Sequence, residues 1–225
     1  MALLREIETG YLKAVGLVSF LTVFLYLARS ALSGGFGVYS YVLINLLLAW
    51  LPVVFAWLLV QELKLRRWGS WQCIVLSLLW VVFLPNAWYV LTDYIHIQAF
   101  GQPGRVYDIL MFSALSLSGM ALGFASLCLV HKELIKRYGQ VWSALWVGVV
   151  IFASSFAIYL GRELRWNTWD IIRDPSGLAI TVSDRVVSPL DYPGTLSITL
   201  LFFVFLSTVY IAVWLVLNSL RKSGR

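Results

Sequence analysis

Three short stretches of this chain carry side chains whose types and spacing suit chemistry. The first is Pro85-Asn86-Ala87-Trp88-Tyr89-Val90-Leu91-Thr92-Asp93-Tyr94-Ile95-His96. On a helix, Asn86, Tyr89, Asp93 and His96 fall within an arc of about 80°. Asp93 and His96, three residues apart, suit a general base and its orienting partner. The second is Tyr159-Leu160-Gly161-Arg162-Glu163-Leu164-Arg165-Trp166-Asn167-Thr168-Trp169-Asp170. Arg162 and Arg165 suit a phosphate or carboxylate through planar two-point contacts. If the helix before them continues, Glu163, Asn167 and Asp170 share a face with Trp166. The third is Arg105-Val106-Tyr107-Asp108. Asp93, His96 and Glu163 are thus the catalytic candidates. Asn86, Tyr89, Asp108, Arg162, Arg165, Trp166, Asn167 and Asp170 are the candidates for binding a substrate.

The elements that must hold these residues are apolar. The chain has 225 residues, is 60% hydrophobic and 12% charged, and has a mean hydropathy of +0.84. Soluble domains are nearer one quarter charged. Six spans long enough to cross a bilayer core are expected, at about 14–32, 38–60, 71–84, 107–130, 141–160 and 196–217. The first is read as a membrane helix and not as a cleavable signal, being too long for an h-region. Pro52 should kink the second, and Pro85 should break the third and start an amphipathic half-helix over 86–97. The fold class expected is therefore an all-α, six-helix transmembrane bundle forming a single membrane domain over 1–225.

Orientation follows from the basic residues. With six spans, eleven of the seventeen Lys and Arg lie on the side of both termini and six on the other. The positive-inside rule then puts both termini in the cytoplasm, with all three polar stretches gathering on the opposite side. Short basic loops explain the net charge of +6 as a topology signal, so no nucleic-acid partner is expected. His131, beside Lys132, reads as a solvated loop residue. Leu178, Ile180 and Val182 alternate with smaller or polar residues, which reads as a short strand, a small hairpin or lid before the last span.

Ser113, Ser116, Gly119, Gly123 and Ser126 form a stripe of small residues, as close helix packing needs. Packing within the bundle is the first reading and a homodimer through the Gly119/Gly123 face the second. Cys73 and Cys128 lie in apolar spans without metal-ligand spacing, and two histidines exclude a histidine-rich metal site. Asp93, Asp108, Glu163 and Asp170 are carboxylates of the kind that hold Mg²⁺ or Ca²⁺, but no metal site is assigned and the cofactor stays unknown.

The string PNAWYVLTD, then a histidine, then YD opening the small-residue span, then YLGRELRWNTWD, resembles a bacterial family called domain of unknown function 1361. The resemblance covers roughly Trp71 to Asp174. It implies a multi-pass inner-membrane protein and supplies no activity. Four roles stay open. The polar residues are a clasp of ion pairs, a site for a lipid or anionic headgroup, the centre of an enzyme acting on a lipid-linked substrate, or a transport path. An accessory role with another membrane-protein partner completes the alternatives.

Overall fold

The computed structural model describes residues 2–33, 35–37, 39–97, 102–189 and 191–223, with side chains at 10–32, 35–37, 39–95, 97, 104–189 and 191–219. It is all-α among the described residues. The helices are α1 (Ala2–Ser33), α2 (Tyr41–Leu65), α3 (Trp71–Tyr89), α4 (Gln102–Glu163), α5 (Asp170–Arg173), α6 (Pro175–Val187) and α7 (Pro193–Ser223), with a 3₁₀ segment at Val90–His96 after α3. Five of these, α1, α2, α3, α4 and α7, are long and apolar enough to cross a membrane, the architecture of a multi-pass membrane protein. Their outward faces suit lipid: Leu17, Phe20, Leu47, Leu78, Leu117 and Leu201 are all exposed.

α4 has 62 residues. Straight, it would measure about 90 Å, some three times the ~30 Å hydrocarbon core. It is not straight, because Gly139 leaves helical geometry at φ 74°, ψ 179°. Glycine accepts that conformation without the strain a Cβ would bring. The limbs on either side, 102–138 and 140–163, line one core. Phe124 and Leu127 of the first limb and Val147, Ile151 and Ile158 of the second are buried in the same cluster as Trp88, Leu206 and Tyr210.

The small-residue stripe is filled from within the chain. Ser126 Oγ accepts from Trp80 Nε1 at 3.2 Å, and Ser116 Oγ donates to the Val90 carbonyl at 3.4 Å. Ser113 Oγ accepts from Tyr94 at 3.0 Å. A Cβ on Gly119 would overlap the Ala87 carbonyl oxygen, and one on Gly123 would overlap the Trp88 indole nitrogen. A second copy docking on Gly119 and Gly123 would have to displace α3.

Three local expectations are corrected. α3 passes through Pro85 to Tyr89 unbroken, as membrane helices allow when neighbouring groups satisfy the freed backbone. The change of geometry comes at Val90, and it is to a 3₁₀ segment and not an α-helical half-helix. The alternating segment 178–183 is helix, not strand or hairpin. Asp174 caps α6 by accepting from Gly177 N–H at 2.9 Å, with Pro175 in the first turn; this start signal outweighs a six-residue alternation. His131 is buried, with Nδ1 2.6 Å from the Tyr210 hydroxyl and its ring 4.3 Å from that of Trp214.

Candidate functional site

The polar residues separate into two groups. The first joins α1 to the start of α4. Arg29 Nε lies 2.7 Å from Asp108 Oδ1, and Tyr39 Oη donates to Asp108 Oδ2 at 3.1 Å. The two charged side chains are 10% and 0% exposed. Both carboxylate oxygens are therefore occupied, and Asp108 is paired with Arg29, not with Arg162 or Arg165. Arg29 is not among the candidates that residue type and spacing suggest. Its partner lies 79 residues away, and no local spacing signals such a pair.

The second group surrounds a cleft of about 310 Å³ between α2, the end of α3 and the second limb of α4. Its apolar walls include Ile44, Leu48, Val82, Pro85, Ala157 and Ile158. Asn45, Asn86, Tyr89, Trp166, Asn167, Thr168 and Trp169 supply polar and aromatic groups. Ile171 and Leu178 add apolar surface from α5 and α6.

Local geometry explains how 166–169 reach the cleft. The expected continuation of helix past Glu163 does not occur. Arg165 takes φ 60°, the left-handed region, and Trp166 N–H donates to the Leu160 carbonyl at 3.2 Å. The chain thus doubles back over its own helix end. Asp170 then accepts from Asn167 N–H at 2.7 Å, fixing the turn. Asn86 Nδ2 donates to Thr168 Oγ1 at 3.0 Å, which ties α3 to this segment across 82 residues. Tyr89 packs on Gly161, where a Cβ would sit 3.2 Å from its ring.

Asp93 is buried behind the cleft. Its Oδ2 accepts from Asn45 Nδ2 at 2.8 Å, so Asn45 makes the interhelical hydrogen bond expected of a lone Asn in a span. Glu163 and Arg165 are exposed and Arg162 and Asp170 half-buried; none of the four lines the cleft. The side chain of His96 lies outside the described residues, so the Asp93–His96 pairing has no geometry here. Among the described residues, no three His, Cys, Asp or Glu side chains gather as a metal ion would require. Sequence reasoning missed Tyr41 and Thr168. Thr168 sits inside the second polar stretch, but only the turn at Arg165 gives it a direction.

No curated protein and no solved structure matches the chain with significance. One family does, described as "Protein of unknown function (DUF1361)", over residues 44–217. The match takes in α3, both limbs of α4 and every residue lining the cleft except Tyr41, and on that extent the chain belongs to the DUF1361 family.

Proposed function

We propose that this protein crosses the membrane six times, with the two limbs of α4 as separate spans, and binds a membrane amphiphile in the cleft beside Asn86. The observation that carries the reading is the division of the cleft wall. Residues from span interiors give an apolar surface, and the ends of α3 and α4 with the 166–169 turn give hydrogen-bonding groups. That is the profile of a molecule with a tail and a headgroup, since ligand sites are mostly apolar with a few placed polar groups.

The positive-inside count supports placing both termini in the cytoplasm and the cleft toward the opposite side. With the family resemblance, it supports the bacterial inner membrane as the location. The clasp reading keeps its own support, in the Arg29–Asp108–Tyr39 cluster, and applies to that group alone.

A photoactivatable diacyl lipid incorporated into cells expressing the protein tests the proposal. Adducts on peptides spanning 41–48 and 157–169 are expected, at yields above those on the exposed outer face of α7. Adducts spread evenly over all lipid-facing helices would refute it.

A further inference from the structure

The charges that would hold an acidic headgroup are not in the cleft wall. Among the described residues its lining contains no Lys, Arg, His, Asp or Glu. An anionic headgroup is held by charge-assisted hydrogen bonds, most often from Arg or Lys, and burying an unpaired charge is costly. The nearby charged side chains, Arg162, Glu163, Arg165 and Asp170, lie outside that lining. The backbone N–H of Asn167 is taken by Asp170.

What the wall offers is amides, a hydroxyl and aromatic rings. Asn45, Asn86 and Asn167 each carry a donor and an acceptor on one group, and Thr168 does so on a single oxygen. Hydroxyl groups have the same double character, so a ligand with several of them suits the capacity these groups keep beyond their bonds to Asp93, Thr168 and Phe83. Trp166 and Trp169 add rigid apolar faces with a polar edge, against which the C–H face of a sugar ring packs. Asn45 is steadied by Asp93 from behind, and Asn86 by Thr168 and by the Phe83 carbonyl.

From this we infer that the headgroup recognised by the cleft is uncharged and polyhydroxylated, of the sugar class. The inference rests on the cleft being a lipid site, and it replaces the anionic headgroup that Arg162 and Arg165 suggested from sequence.

The test uses the full chain in a zwitterionic detergent free of sugar. Three lipids with the same acyl chains are compared by native mass spectrometry: a monohexosyl diacylglycerol, phosphatidylglycerol and unglycosylated diacylglycerol. The hexosyl lipid is expected to bind at least about tenfold more tightly than either of the others, as two or three hydrogen bonds would give. Thr168→Val, which keeps shape, and Asn167→Ala, at an exposed position, should each erase part of that preference. Equal or tighter binding of phosphatidylglycerol overturns the inference, as does equal binding of all three; both leave the lipid-site reading standing. Binding of none of the three overturns that reading as well.

Discussion

Removing one partner of the Arg29–Asp108 pair should cost far more than removing both. The side chains meet at 2.7 Å and are 10% and 0% exposed, so water cannot take the place of a lost partner. Breaking a buried pair leaves an uncompensated charge and costs about 3–5 kcal/mol. Arg29→Met should fall at the low end, near 3 kcal/mol, because Tyr39 still donates to Asp108. Asp108→Leu should fall near 5 kcal/mol, because it strands a guanidinium with five donors. The double variant removes both charges together and should lie within about 1 kcal/mol of the parent, since apolar replacement of a buried pair is often neutral or better. Equilibrium unfolding in mixed micelles, with sodium dodecyl sulfate as denaturant, measures all four proteins of the cycle. Single losses below about 1 kcal/mol that simply add in the double variant would refute a buried, mutually dependent pair.

Gly119→Leu should destabilise by about 3 kcal/mol or more, because its side chain must enter α3 at Ala87 and the 3₁₀ segment at Val90. Gly148→Leu, where nothing lies within 4 Å of the added Cβ, is the matched control and should be tolerated; thermal unfolding of the two distinguishes packing from helix propensity. Asn45→Leu deprives the buried Asp93 of its donor and should cost about 1–3 kcal/mol, read by the same unfolding titration; no loss would mean that the carboxylate has another way to be satisfied. Asp174→Ala removes the α6 cap and should cost about 1 kcal/mol locally, seen as faster proteolysis between 165 and 192 with an unchanged global midpoint.

Much of the architecture was legible because bilayer thickness imposes span length directly. The stripe from Ser113 to Ser126 was legible for a related reason: small residues at three- and four-residue steps announce a close helix neighbour, and α3 is that neighbour. Asn86, Tyr89, Trp166 and Asn167, four of the polar residues that crossing a membrane does not require, line one cleft. The sequence could not tell which polar residues were partners. Asp108 found Arg29 and Asp93 found Asn45, each on a helix far away in the chain, through contacts set by tertiary packing. Nor could periodicity foresee the end of α4 at Glu163. That end depends on one residue, Arg165, adopting a left-handed conformation that non-glycine residues seldom take.

The chain order of the contacts around Ala87–Val90 has a bearing on how the protein is made. α3 is gripped by Gly119 and Gly123 from the first limb of α4 and by Gly161 from the second, and Asn86 meets Thr168. Synthesis proceeds from the N-terminus, so α3 emerges from the ribosome some thirty residues before its first grip and more than seventy before its last. Until Thr168 has been translated the cleft lacks the polar groups of 166–168, and a nascent chain stalled before Gly161 leaves Tyr89 without the surface it packs on. The cleft is thus a late product of translation, closed by the turn at Arg165 after the helices that form its walls have been laid down.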